Sequence, residues 1–324
     1  MKSWWIVTEH GTIRLEFREV PVPQPKAGEI VLKVHATALN RGELIPGGVV
    51  HGGPEKLGGT EAAGVVHAVG ESVTAFKPGD RVMGRARGGF AEYATLDAHQ
   101  AMSMPQRLSW EQGAAIPATF LAAYEMLFPY GKLKRGEWLL VTGASSGVGV
   151  ASIQAAKVIG ASVIGTSGSV AKLEKLKAIG LDFAIATRAA DFAARVKEAS
   201  GGRGADLIVN CVGGSVFAEC VRALARRGRL AVVGYVDGTL KAELDLEAVH
   251  ANRFEIFGVS NARLIPKERA EAMRGFVRDL LPAFAEGRIT PVIDRVFSFD
   301  ELPQAKDYME SNAQVGKIVV RVAC

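Results

Sequence analysis

The sequence predicts an α/β protein in which a doubly wound parallel sheet follows a β-rich, barrel-like region. Three observations predict it. The first hundred residues carry short apolar runs punctuated by Gly and Pro; strand-like and helix-like runs alternate after residue 110; and a glycine-rich turn joins the first strand of that alternation to its helix.

In the first part, Ile30 to Ala36 and Gly64 to Gly70 read as strands. Pro78-Gly79-Asp80 turns into Arg81-Val82-Met83, and Gly88 to Tyr93 begins another strand. Trp138 to Val141 then opens the alternation, and the turn leads into a helix over Val148 to Val158. Strands at Ser162 to Gly165, Phe183 to Ala186, Asp206 to Asn210, Arg229 to Val233 and Phe254 to Phe257 follow. Helices over Ala171 to Ile179, Phe192 to Ala199 and Val216 to Ala225 separate them. Near-continuous apolar strands fit a sheet covered on both faces. An amphipathic helix over Lys267 to Ala285 and a strand over Lys317 to Val322 complete the chain.

Composition narrows the function classes. The formal charge of +5 is mild, and residues 101–200 carry 11 basic against 7 acidic groups while residues 1–100 carry 11 of each. Such a surplus suits a small anionic ligand better than a nucleic acid, which calls for a denser basic stripe. Three cysteines without a C-x-x-C pair form no disulfide framework. With no signal-peptide pattern and no long apolar run, the expected location is the cytoplasm.

The turn Thr142-Gly143-Ala144-Ser145-Ser146-Gly147-Val148-Gly149 has the small residues that let a pyrophosphate approach a helix N-terminus. As a dinucleotide fingerprint it places Ala144, Ser146 and Gly149 at the three glycine positions, so alone it also reads as a tight strand–helix turn. NAD sites place a carboxylate at the end of the next strand. Here Ser167-Gly168-Ser169 and Lys172 stand there instead. Hydroxyls and an ammonium suit the 2′-phosphate of NADP, although Lys172, like Lys175 and Lys177, also reads as a solvated helix lysine. A Tyr-x-x-x-Lys proton-transfer pair downstream of the turn is absent, since Tyr235 and Tyr308 precede Thr239 and Asn312 at that spacing.

Gly136-Glu137-x-x-Leu140, the Ala144–Gly149 turn and Gln154-x-x-Lys157 are similar to the signature of the quinone oxidoreductase (zeta-crystallin-like) family, zinc-independent medium-chain dehydrogenase/reductases. Supporting runs are Ala38 to Glu43, Gly59 to Gly64, Pro78 to Val82 and Gly316 to Val319. The resemblance implies a Rossmann NADP-binding domain over 118–263, inserted in a GroES-like catalytic domain over 1–117 plus 264–324. Zinc-dependent members carry a histidine where this chain has Thr60, so no metal is expected. Without a Lewis acid the acceptor must already be electrophilic, a quinone or a conjugated enone. Asn40 then matches a nicotinamide-pocket position, and His51, in a glycine-rich loop, is a candidate substrate contact; His35 and His67 read as strand histidines. Ser145, Gly147 and Val148 complete the phosphate turn. Val212, Gly234, Tyr235, Val259 and Asn261 are implied cofactor contacts, and Cys211 reads as inert packing. The alternatives are NADPH-dependent reduction of the C=C bond of enals, enones or enoyl thioesters, and a crystallin-like cofactor-binding or RNA-associated protein. For the last, Arg222, Arg226 and Arg227 before Gly228, and Arg229 just after it, count as basic residues at a helix end. A homodimer pairing through the strand Phe254 to Phe257 is expected by the same resemblance.

Overall fold

A computed structural model describes residues 1–45, 55–260 and 264–322. It divides into two compact units, Met1–Leu121 with Asn261–Cys324, and Ala122–Ser260.

The first unit opens with a hairpin that sequence patterning did not anticipate, β1 (Lys2–Glu9) and β2 (Thr12–Glu19). Its two-residue turn, His10-Gly11, has both residues at positive φ, as the twist of a tight hairpin requires. Then come β3 (Glu29–Ala38), β4 (Glu55–Leu57), β5 (Glu61–Val69), β6 (Arg81–Arg85), β7 (Tyr93–Asp97) and β8 (Ala101–Ser103). The expected strand at Gly88 to Tyr93 starts only at Tyr93. Gly89 and Phe90 instead hydrogen-bond across to Gly59 and Gly58, where a Cβ on Gly59 would lie 2.3 Å from the Phe90 nitrogen.

The second unit is one six-stranded parallel sheet: β9 (Trp138–Thr142), β10 (Ser162–Ser167), β11 (Phe183–Ala186), β12 (Ala205–Asn210), β13 (Leu224–Val232) and β14 (Glu255–Gly258), in the order β11-β10-β9-β12-β13-β14. The order reverses between β9 and β12, which creates the crevice at the strands' carboxyl ends where ligands bind in such sheets. Leu140, Ile164, Ile208 and Leu230 form its core with Phe192, Val196 and Val221 from the covering helices.

The helix after β12 is shorter than expected, Phe217–Ala223, because Leu224 is already extended in β13. Arg226, Arg227 and Arg229 therefore lie on β13, and the residue at positive φ there is Arg227, not Gly228. Arg229 turns inward. Its guanidinium donates to the carbonyls of Gly131, Lys132 and Asp206 and pairs with Glu137 at 2.7 Å. Arg222 pairs with Glu219. These two are structural ties, not a nucleic-acid stripe.

The last segment returns to the first unit. The expected helix over 267–285 is two helices, Pro266–Asp279 and Leu281–Ala285. Pro282 has no N–H to continue the ladder, and its ring would clash with the Arg278 carbonyl, so the helix breaks at Leu280. β15 (Ile293–Ser298) and β16 (Lys317–Arg321) then extend the sheet of β3, β5, β6, β7 and β8, β16 pairing antiparallel with β3. That register sets Val319 opposite Ala38 and carries Lys317 under the segment just after β3.

Candidate active site

In the second unit the glycine turn runs from β9 into a capped helix, the geometry in which a phosphate can meet a helix N-terminus. Ser146 caps the helix Gly147–Ile159, its Oγ accepting the Gly149 N–H at 3.0 Å. Before it in that helix, the Gly147 and Val148 amides have no carbonyl of their own turn to bond, which leaves them for a ligand or water. Gly149 has no alternative here: a Cβ would lie 2.6 Å from the Ala144 carbonyl oxygen. Gly165 on β10 is equally constrained, since its Cβ would meet the Ala144 Cβ at 2.9 Å. Ala144 is buried at this junction, which suits a methyl where the fingerprint allows a glycine. The backbone of the turn is thus pressed close to the sheet, leaving its outer face to a ligand. Ser145, Gly147 and Val148 share this turn and are partly exposed.

A residue not singled out from sequence shapes the opposite wall. Asn210, fully buried at the end of β12, accepts from the Thr142 hydroxyl and from the N–H groups of Val212 and Gly213, and donates to the Gly213 carbonyl. Thr142 Oγ1 in turn accepts the Cys211 N–H. This network fixes Val212 beside the glycine turn, 3.4 Å from where a Gly143 Cβ would stand. Asp237 holds the next loop against it, accepting the N–H groups of Ser215 and Thr239. Burial would push its carboxyl up, but those hydrogen bonds outweigh it and leave the group below the usual range. Gly234 and Tyr235 lie in that loop, Tyr235 with its ring largely exposed; Val259 is buried after β14, with its N–H on the Val232 carbonyl. Asn261 lies outside the described residues. Cys211 is inert: burial pushes its thiol up to about 12, against a hydrogen bond with Ser146.

At the end of β10, Ser167 and Ser169 flank Gly168, and the Lys172 N–H donates to the Ser169 hydroxyl in the first turn of the helix Val170–Lys177. No carboxylate of β10 or of this turn stands there.

In the first unit Asn40 is the centre of a buried polar cluster. Its side-chain oxygen accepts from Lys317 Nζ at 2.7 Å, and its amide donates to Glu61 Oε1 at 2.8 Å and weakly to the Thr60 hydroxyl. Lys317 also donates to Glu61 Oε1 and to the Leu39 carbonyl, and Glu61 Oε2 accepts the Ala118 N–H. Glu61 is fully buried and Lys317 nearly so. Glu43 Oε1 accepts the Asn40 N–H, whereas its buried Oε2 has no hydrogen-bond partner among the described residues. Burial, helped by the nearby Glu61 charge and opposed by the Asn40 N–H, Lys317 and Lys56, pushes the Glu43 carboxyl up to about 7. Glu61 and Lys317 each put a charge at the head of an otherwise largely apolar strand, and that was the available signal. His51 lies outside the described residues. His35 stacks on Trp110, and His67 meets Tyr93 edge-on. Among the described residues, no three His, Cys, Asp or Glu side chains gather as a metal-binding group.

Residues 26–106 match the alcohol dehydrogenase GroES-like domain and residues 147–278 the zinc-binding dehydrogenase domain. The rat (Rattus norvegicus) quinone oxidoreductase is 30% identical, covering 93% of this chain and 92% of its own length. The chain belongs to the quinone oxidoreductase-like family of medium-chain dehydrogenases/reductases. The human synaptic vesicle membrane protein VAT-1 homolog, in the same superfamily by this match, is also 30% identical, over 96% of this chain and 83% of its own. A mycobacterial protein solved in complex with NADPH superposes with a TM-score of 0.89 at 28% identity, covering 99% of both chains. The CurK enoyl reductase superposes with a TM-score of 0.86 at 25% identity, again over 99% of each. Family membership makes this an oxidoreductase built from a GroES-like and a Rossmann domain. Among the described residues, no helix is long and apolar enough to cross a membrane.

Proposed function

We propose that the protein is an NADPH-dependent, zinc-independent reductase of quinones. The observation that carries the reading is the pairing of a backbone-lined phosphate turn with a strand end that offers Ser167, Ser169 and Lys172 in place of a carboxylate. Gly149 and Gly165 let the turn pack against the sheet, and this reading gives its outer face to the dinucleotide. The mycobacterial relative's NADPH complex supports the same cofactor. When bound, NADPH supplies a hydride. A quinone that takes up the hydride and one proton leaves as a hydroquinone, so no metal is needed to polarise it. Thr60 in place of the zinc ligand supports this metal-free chemistry. The chain's own contribution is orientation: the turn and the Val212 loop hold the cofactor, while Asn40 is locked by Glu61 and Lys317.

The second reading, reduction of a conjugated C=C bond, is favoured by the likeness to CurK. Both share the domain limits 1–117 with 264–324 and 118–263. A homodimer fits the exposed edge strand β14, and a cytoplasmic location fits the free, buried Cys211 and Cys220. NADPH oxidation against matched quinones and enones decides between them. Faster turnover of quinones at equal NADPH supports the first; turnover of enones alone supports the second; NADPH binding without turnover of either refutes both.

A further inference from the structure

The end of β10, from which the chain enters the helix of Lys172, has a second basic residue beside it. β10 and β11 run out together, Ser167 opposite Ala186, and the Thr187 N–H donates to the Ser167 carbonyl at 3.0 Å. The next residue, Arg188, folds its side chain back across β10. A Cβ built on Gly168 would fall 2.2 Å from Arg188 Nε, 2.4 Å from its Cγ and 2.8 Å from its Cδ. Gly168 is not at positive φ, so space for this arm, not backbone conformation, is what asks for glycine.

The guanidinium is exposed and makes no hydrogen bond or ion pair among the described residues. Asp191, the acid nearest in sequence, accepts from the Thr187 hydroxyl and faces Arg195. Two hydroxyls complete the surroundings. Ser167 Oγ accepts the Ser169 N–H, and Ser169 Oγ accepts the Lys172 N–H, so each keeps its O–H proton to donate outward. An arginine arm over Gly168 and two hydroxyl donors flanking it, with a lysine in the first turn of the next helix, match a dianionic phosphate, for which arginine's planar fork is well suited.

We propose that Arg188 is a specificity-determining contact for the 2′-phosphate of NADPH, laid over Gly168 from the neighbouring strand. The inference rests on the NADPH reading above and adds a residue to it. It also explains why Lys172, at the base of the helix, need not discriminate alone.

The test is equilibrium binding of NADPH, NADH and 2′,5′-ADP to the intact protein and to Arg188→Gln, Arg188→Lys and Gly168→Ala. Losing one charge-assisted contact predicts that Arg188→Gln weakens NADPH and 2′,5′-ADP by about tenfold or more. NADH should change by less than about twofold on the same reasoning, because it lacks the phosphate. Arg188→Lys should recover part of the loss, and Gly168→Ala, which displaces the arm but keeps the charge, should behave like Arg188→Gln. Equal weakening of NADPH and NADH, or no change in either, overturns the assignment. The unaltered protein reports separately on the cofactor reading: if it binds NADH as tightly as NADPH, that reading fails whatever the variants do.

Discussion

Replacing Lys317 by methionine tests whether the polar cluster under Asn40 is held by charge. The substitution keeps the stem and removes an ammonium that makes three contacts at 2.7–2.8 Å, to Leu39, Asn40 and Glu61. Glu61, with no exposed side-chain surface, would be left a buried carboxylate without its counter-charge. It keeps the Asn40 amide and the Ala118 N–H as donors, which places the loss near the low end of the ~3–5 kcal/mol typical of broken buried pairs. The orphaned Asn40 and Leu39 oxygens add about 1 kcal/mol each, partly offset by burying the methionine. A net cost of roughly 3–4 kcal/mol corresponds to a fall in melting midpoint on the order of 10 °C.

The unfolding assay is tryptophan fluorescence, since Trp4, Trp5 and Trp110 lie in the first unit and only Trp138 in the second. The double variant Glu61→Gln/Lys317→Met should be at least about 1 kcal/mol better than the sum of the two singles, because removing both charges leaves neither unpaired. A Lys317→Met midpoint within a degree or two of the parent would refute the reasoning. So would strict additivity in the double variant.

Three further outcomes follow from the same geometry. Glu43 titrates near 7 when folded but near 4.3 in an unfolded chain, so the folded state holds the extra proton and its contribution is fully present below about pH 4. That contribution, on the order of 3 kcal/mol, is lost as pH rises through about 7; Glu43→Gln should flatten the fall, and an unchanged pH–stability curve in urea titrations would contradict the burial argument. Gly149→Ala puts a methyl 2.6 Å from the Ala144 oxygen, so the turn must shift, and calorimetry should find NADPH and NADH weakened together by about tenfold or more. Asn210→Leu removes the acceptor of the Thr142 hydroxyl and of two loop amides, costing about 3 kcal/mol in stability and loosening the Val212 loop; hydrogen exchange at 211–214 as slow as in the parent would count against it.

What could be read from sequence was whatever a single segment decides for itself. The Rossmann strands are apolar runs bounded by turns, and all but β13, which begins earlier, at Leu224, lie close to their expected places because burial on both faces writes the pattern locally. The glycine turn was legible for the same reason: Ser146 and Gly149 act within one helical turn. The hairpin Lys2–Glu19 escaped because its strands are half-exposed and alternate weakly, and their stability comes from pairing. The break at Leu280 was readable in principle, since Pro282 announces it, but the apolar periodicity on either side masked it.

The candidate site divides along the same line, and that has a consequence for its chemistry. Asn40 was visible as a motif residue, but its partners Glu61 and Lys317 are brought in by β5 and β16, the latter 277 residues away. Once both are in place, the amide's oxygen and one of its protons are committed to charged groups, and turning the side chain toward an acceptor would break two bonds of 2.7–2.8 Å. Asn40 is therefore a fixed element rather than an adaptable ligand. What it has left to offer is one N–H, now only 3.4 Å from the Thr60 hydroxyl. That hydroxyl can accept from Asn40 and still donate its own proton, at the position where zinc-dependent relatives place a metal-binding histidine. On the metal-free reading proposed above, a polarising donor of this kind would be far weaker than a Lewis acid and would suffice only for acceptors that are electrophilic before they bind.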